Sequence, residues 1–169
     1  MSAEPLYGPE PLEARHDVSS FDCGVPALND YITARAFADS RAGKSQTQVA
    51  SRAAIVVAYY SLTAGSVEAA DATDRLAKGQ GRQAIPVVVL ARLAVDSSEQ
   101  GHGLGESMLF QALARSAAAA RLIGVRAVLV HAKDAGARSF YERYGFERAP
   151  THPLHLVLLM KDIRKTLAI

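Results

Sequence analysis

A single cysteine, Cys23, in a chain of 169 residues cannot form an internal disulfide. The disulfide-scaffold class is therefore excluded, and a reducing, cytoplasmic location is expected. Tryptophan is absent and aromatic residues are 7% of the chain, so the composition offers no evident aromatic platform for stacking single-stranded nucleic acid. Long apolar runs are missing too. Stretches such as Ile85 to Leu90 fall far short of the roughly 20 residues a membrane span requires. The opening residues, MSAEPLYGPEPLEARHD, carry acids and prolines where a signal peptide would show bases and then an apolar core, so secretion and membrane insertion are both disfavoured. The five histidines (His16, His102, His131, His152, His155) have no convincing metal-ligand spacing, and no metal is expected.

What is present is the composition of a soluble globular protein, 49% hydrophobic and 21% charged, at a length suited to one domain spanning residues 1–169. A chain of this size buries about two-thirds of the surface its unfolded form exposes, enough to fold without a metal or disulfide staple. The net charge of +2 is unevenly distributed. Residues 1–30 hold six acids against Arg15, whereas the remainder holds 18 bases against 11 acids, a net +7. A basic body suits a polyanionic ligand such as a nucleotide or RNA.

Periodicity predicts an α/β chain. A short strand is expected at Leu12 to His16. A helix opens from Ser20 or Asp22, buries Leu28, Tyr31, Ile32 and Ala36, and stops near Gly43. Between Gln48 and Val67, β-branched and aromatic residues broken by Ser51-Arg52 predict two antiparallel strands. Residues 68–83 read as a loop whose end, Arg75 to Arg82, has three bases, no acid and two glycines, so it should be exposed and mobile. Ala84 to Asp96 is a buried strand. An amphipathic helix from Leu104 closes at Gly124, and Val125 to Ala132 is a further strand. Asp134 caps a helix that runs to about Tyr144 and ends on Gly145. Leu154 to Met160 is the last strand, and Lys161 to Lys165 a basic tail. This order, with three sequential strands before the first crossover helix, implies a mixed sheet of six to seven strands with helices on both faces.

The sharpest local feature is Gln100-Gly101-His102-Gly103-Leu104-Gly105, set after a buried strand and opening a helix. Closely spaced glycines let backbone N–H groups converge on an anion, and the helix N-terminus adds partial positive charge. The spacing does not match a dinucleotide fingerprint, because Glu106 stands where the third glycine would fall. Alone, the run reads equally as a phosphate cradle or a tight turn. A second feature is Asp134 to Phe146, which places Ala137, Phe140, Tyr141 and Tyr144 on neighbouring turns of one helix face. Tyr141 adds a phenol able to donate a proton beside such a cradle.

Leu93-Ala94-Val95-Asp96, the loop Gln100 to Gly105, and Asp134 to Phe146 together resemble the GNAT superfamily of N-acetyltransferases. With Phe21-Asp-Cys-Gly24, Ala58-Tyr-Tyr-Ser-Leu62 and Ile85 to Asp96, nearly the whole chain is similar to the acetyltransferase toxins of type II toxin-antitoxin pairs. The resemblance implies acetyl-CoA as acetyl donor. Backbone groups of Leu93, Ala94 and Val95 would pair with the pantetheine arm, and Gln100, Gly101, His102, Gly103, Leu104 and Gly105 would receive the pyrophosphate. Asp134, Ala137 and Phe140 fall on its cofactor-binding helix, although many members carry Asn where this chain has Asp134. Tyr141 matches the family's general acid; Cys23 is not needed as a nucleophile. Asp96, Glu99 and Glu68 are the candidate bases, each also readable as a solvated carboxylate. The acceptor it implies is the α-amine of aminoacyl-tRNA, with Arg35, Arg75, Lys78, Arg82 and Arg92, joined by Arg41, Lys44 and Arg52, as the RNA-contact pool. In a buried strand Arg92 could instead pair with an internal acid. The family further implies a homodimer and a small ribbon-helix-helix antitoxin. A GNAT enzyme acting on a small amine or a protein N-terminus, and a non-catalytic acyl-CoA-binding regulator, remain alternatives.

Overall fold

In the computed structural model, which describes residues 4–169, seven strands form one mixed sheet in the spatial order β1 (Leu6–Pro11), β2 (Gln46–Arg52), β3 (Ile55–Val67), β4 (Ile85–Val95), β5 (Ala127–His131), β7 (His155–Leu159) and β6 (Glu147–Arg148). The chain divides into two compact units, one running up to Thr63 and including Ala91–Ala112, the other comprising Ala64–Leu90 and Leu113–Ile169.

The first unit is an antiparallel meander of β1 (Leu6–Pro11), β2 (Gln46–Arg52) and β3 (Ile55–Val67, as far as Thr63), with helices α1 (Pro26–Ala34) and α2 (Ala36–Arg41). Its core gathers Leu12, Phe21, Tyr31, Ile32, Val49, Val56, Tyr59 and Ala94. Tyr59 is fully buried, with its ring edge-on to Phe21 at 5.4 Å and its hydroxyl donating to the Leu28 carbonyl at 2.7 Å. That bond satisfies the polar end of an otherwise apolar side chain, as burial of a tyrosine requires.

The first strand is Leu6–Pro11, not residues 12–16. As the edge strand it can carry Pro9 and Pro11, whose missing N–H groups would break a central ladder. Gly8 has φ +99, and a Cβ there would strike the Val49 carbonyl oxygen. Residues 12–16 instead form a turn in which the Glu13 N–H donates to His16 Nδ1 at 2.9 Å. The first helix starts at Pro26, a residue suited to the opening turn, and the chain breaks at Arg35 before α2. Asp22 caps no helix; it accepts from the Gly24 N–H and from Asn29 Nδ2.

The β2–β3 turn falls at Ala53-Ala54, two residues beyond Ser51-Arg52, with φ of 49 and 65. Both central residues of this two-residue hairpin are left-handed, a geometry that favours Asn-Gly and costs alanine about 1–2 kcal/mol per residue. Ala53→Asn with Ala54→Gly should raise Tm by about 2–4 °C, since part of the relieved strain is offset by the unfolded-state entropy of glycine. A thermal melt that is unchanged or lower would contradict this.

The second unit holds α3 (Asp74–Ala77), the first half of β4 (Ile85–Val95), the later turns of α4 (Leu104–Ala119), β5 (Ala127–His131), α5 (Ala135–Arg143), β6 (Glu147–Arg148), β7 (His155–Leu159) and α6 (Met160–Leu167). Val87–Leu90 pair in parallel with Ala127–Val130, and β5 pairs antiparallel with β7. Its core is Val67, Leu76, Ile85, Val87, Ala127, Leu129, Val157 and Leu159.

Three expectations change here. Residues 68–83 are not all loop, because Thr73 caps α3 by accepting from the Leu76 N–H, and Leu76 is fully buried. The helix from Leu104 ends at Ala119, not Gly124; tight i to i−3 bonds from Arg121 and Leu122 close it, leaving Leu122 and Ile123 exposed. The basic tail is the amphipathic helix α6, which buries Met160 and Ile163 and places Arg164 and Lys165 in its last turn, where cations suit the helix dipole.

Candidate active site

The strand β4 continues five residues past its register with β5, to Val95. Leu93 and Val95 are half-buried, and Ala94 belongs to the first core. Asp96 then turns the chain. Its Oδ2 accepts from the Ser98 N–H at 3.0 Å and from the Ser98 hydroxyl at 2.6 Å, and its Oδ1 accepts from the Asp22 N–H at 2.8 Å. Burial raises the Asp96 pKa, but these hydrogen bonds outweigh it and leave the carboxyl below the ordinary carboxylate range. A carboxylate so engaged is a poor proton acceptor. Of the other candidate bases, Glu99 pairs with Arg52, and Glu68 is exposed.

Gln100 braces the loop that follows, its Nε2 donating to the Val95 carbonyl at 2.9 Å and to the Cys23 carbonyl at 3.2 Å. Gly101 and Gly103 both sit at φ +83, and a Cβ on either would meet nothing within 4 Å. The left-handed backbone, not crowding, is what calls for glycine at these two positions. His102 between them is exposed. With α4 starting at Leu104, the N–H groups of its first turn have no acceptor within the helix. Two left-handed residues under open space, followed by a helix N-terminus, fit an anion held by backbone N–H groups.

In the second unit, Asp134 is the N-cap of α5, its Oδ1 accepting from the Ala137 N–H at 2.8 Å. Ala137 and Phe140 are half-buried on that helix. Tyr141 is 9% exposed and packs against the rings of Phe140 at 5.2 Å and Phe146 at 5.4 Å. Burial pushes its phenol up to about 12. Gly145, at φ +93, then ends the helix. Removing the cap, Asp134→Ala, should cost about 1 kcal/mol, or about 2–4 °C in Tm, whereas Asp134→Asn should cost little. Equal melting temperatures for the Ala variant and the parent would refute the capping role.

The basic residues have different fates. Arg92 stacks on the Tyr31 ring, its guanidinium carbon 3.5 Å from the centroid, a contact that neither the RNA-contact reading nor its alternative of an internal acid partner foresaw. Arg35 lies over the same ring at 5.5 Å, so two of the RNA-contact candidates converge on one side chain. Arg75 is held by ion pairs to Glu147 and Asp162, which offset its charge. Lys78 and Arg82 are exposed. Arg41 lies over Phe37 at 5.8 Å, and the Lys44 carbonyl accepts from Thr63. Arg126, which no sequence motif marks, straps the 75–82 segment by donating to the carbonyls of Arg75, Leu76 and Lys78. Among the described residues no group of three or more His, Cys, Asp or Glu could hold a metal ion, and no helix is long and apolar enough to cross a membrane.

Comparison with known proteins identifies the family. The family described as Acetyltransferase (GNAT) domain matches residues 50–148. A curated relative, the tRNA-acetylating toxin of Mycobacterium tuberculosis, is 47% identical over 156 residues, covering 92% of this chain and 93% of that protein. Among solved structures, AtaT complexed with acetyl-methionyl-tRNAfMet superposes with a TM-score of 0.87 at 27% identity, covering 96% of this chain and 98% of that one. A tyrosine-to-phenylalanine mutant of AtaT bound to the C-terminus of the antitoxin AtaR and acetyl-CoA gives a TM-score of 0.82 at 26% identity, covering 98% of each chain. A family match over more than half the chain, and near-half identity to a relative over almost its full length, show that this protein belongs to the GNAT acetyltransferase family.

Proposed function

We propose that the chain is an acetyl-CoA-dependent N-acetyltransferase toxin that acetylates the α-amine of aminoacyl-tRNA and so blocks translation. The observation that carries this is 47% identity, over 92% of the chain, to a tRNA-acetylating toxin. We read residues 1–169 as one functional domain, acting in the cytoplasm as a homodimer and restrained by a ribbon-helix-helix antitoxin. AtaT, a structural relative, is bound to the C-terminus of its antitoxin AtaR.

Bound acetyl-CoA supplies an activated acetyl group on a thioester. The N–H groups of residues 100–105 hold its pyrophosphate, and backbone groups of Leu93, Ala94 and Val95 align its pantetheine arm. Tyr141 donates its phenolic proton to the departing thiolate; any phenol holds that proton at neutral pH, and burial extends the hold to higher pH. No carboxylate is needed to free this amine for attack, and the proton its nitrogen sheds once the C–N bond has formed returns, directly or through water, to the Tyr141 phenolate. An α-amino group titrates near 7.7–8.0, and an adjacent ester lowers it further, so much of it is already a free amine at neutrality. The hydrogen-bonded Asp96 and the paired Glu99 agree with that economy. A lysine ε-amine, near 10.4, would need a base that neither carboxylate provides.

The test is purified protein with labelled acetyl-CoA and total charged tRNA, followed by identification of the labelled aminoacyl species. Label in the aminoacyl group of RNA is the expected result. Label found only on free amines or on protein would overturn the assignment.

A further inference from the structure

We infer that the cavity walled by His131, His152 and His155 is a stacking site for one unpaired nucleobase of RNA, an inference that rests on the RNA-acceptor reading above.

His131 lies more than twenty residues before His152 and His155, and the sheet brings the three imidazoles together. The antiparallel β5–β7 register sets His131 directly opposite His155. Their rings stack with centroids 3.9 Å apart and planes 11° from parallel. His152, just before β7, stacks on His155 at 4.3 Å and 30°. The rings open on a cavity of about 190 Å³ that also includes Ser66, Glu68 and Asp71. His131 and His152 are exposed and His155 half-buried, so a ligand has access to the rings.

The chemistry of the walls selects the ligand. Burial first, and then the neighbouring imidazole of His152, hold the His131 pKa below its ordinary value. His155 is lowered in the same way, by burial and then by His131 and His152, against an opposing pull from Asp71. Near neutrality these two rings are therefore uncharged; His155 is covered by its two neighbours, and the exposed ring of His131 presents the flat, polarizable face on which an unstacked base settles. Glu68 is exposed at the cavity, and Asp71 accepts a hydrogen bond from Thr151 at 2.6 Å. Two carboxylates repel a phosphate but accept hydrogen bonds from the exocyclic amino groups of a base. The cavity is smaller than the roughly 300–1,000 Å³ that receives a whole drug-sized ligand, so it suits a single ring system.

A transition metal is the competing occupant of a histidine cluster, and the stacking opposes it. Imidazole lone pairs lie in the ring plane, and two parallel planes 3.9 Å apart cannot both contain one ion at the Zn–N distance of roughly 2.0–2.1 Å. A base needs no shared lone pair and stacks on one exposed ring face at the end of the histidine stack.

The probe is a four-nucleotide RNA single strand with 2-aminopurine at its 3′ end, titrated into the full-length protein. Its fluorescence should be quenched on binding. His131→Ala and His152→Ala should each weaken the Kd about tenfold, the scale of one lost stacking contact, and His152→Tyr should restore it. Thermal melts establish that each variant is folded. In the acetylation assay the alanine variants should raise KM for charged tRNA with kcat little changed. Unaltered oligonucleotide affinity in the folded alanine variants would overturn the site. So would Tyr failing where Ala fails, or Zn²⁺ binding that requires the histidines and expels the oligonucleotide. If the oligonucleotide behaves as expected but no tRNA is acetylated, the base site stands and the acceptor assignment falls. If tRNA is acetylated with unchanged KM and oligonucleotide affinity in every variant, only the base site falls.

Discussion

Tyr141→Phe should lower acetyl transfer to charged tRNA by about 10²–10⁴-fold, the usual contribution of a positioned general acid, while leaving the melting temperature nearly unchanged. The substitution isolates the phenolic proton. A phenylalanine ring keeps the edge contacts with Phe140 and Phe146, at 5.2 and 5.4 Å, so packing around α5 is preserved. Acetyl-CoA affinity should also be preserved, because the proposed pyrophosphate contacts belong to the 100–105 loop. A loss of this size is about 3–5 kcal/mol of transition-state stabilisation, far more than one neutral hydrogen bond contributes to folding. Single-turnover rates for the two proteins decide the matter, and equal rates would remove Tyr141 as the acid.

The pH dependence follows from the same side chain. Burial lifts the phenol from 10.0 to about 12, so it stays protonated, and able to donate, across the range in which the enzyme is assayed. The acidic limb of the rate should therefore track the acceptor amine, and no alkaline limb should appear below about pH 10. Stability is linked with the opposite outlook at high pH. The folded-state value lies above the unfolded one, so the contribution of Tyr141 is complete below pH 10 and is lost as pH rises towards 12.

Local chemistry explains which parts of the molecule could be read in advance. The caps and stops of α5 were legible because Asp134 and Gly145 each act within a few residues of their own position. The glycine turn before α4 was legible for the same reason, since left-handed backbone leaves a residue-type signature. Long-range pairing leaves no such mark. The segment 75–82 reads as a mobile basic loop until Arg126, some 50 residues onward, is seen to strap it, and until Glu147 and Asp162 are found against Arg75. Helix α6 was missed because its apolar positions, Met160 and Ile163, sit in a run dominated by charge. The edge strand was misplaced because prolines argue against any strand that is not known to be at an edge. The histidine stack depends on strand register, which spacing along the chain cannot encode.

Gly103→Asp should weaken acetyl-CoA binding by about 100-fold, and Gly103→Asn by less than about tenfold. The pair separates charge from conformation. Gly103 is at φ +83, where a side chain is strained, but Asn and Asp are the non-glycine residues that tolerate the left-handed region best. Space is not the obstacle, because a Cβ at this position would meet nothing within 4 Å. Both variants should therefore lose similar, small amounts of stability. They differ by one negative charge in a loop proposed to hold a pyrophosphate against the N-terminus of α4. Two unit charges about 4 Å apart repel by about 4 kcal/mol at an effective dielectric of 20, and mobile ions at an exposed loop reduce that to the expected two orders of magnitude. Added salt should narrow the gap between the variants, since exposed charges are screened over about 10 Å at 0.1 M ionic strength. Isothermal titration with CoA at two salt concentrations measures all of this. Equal affinities for the Asp and Asn variants at low salt would mean that the glycine loop is a turn and not an anion cradle, and would return the pyrophosphate to some other part of the chain.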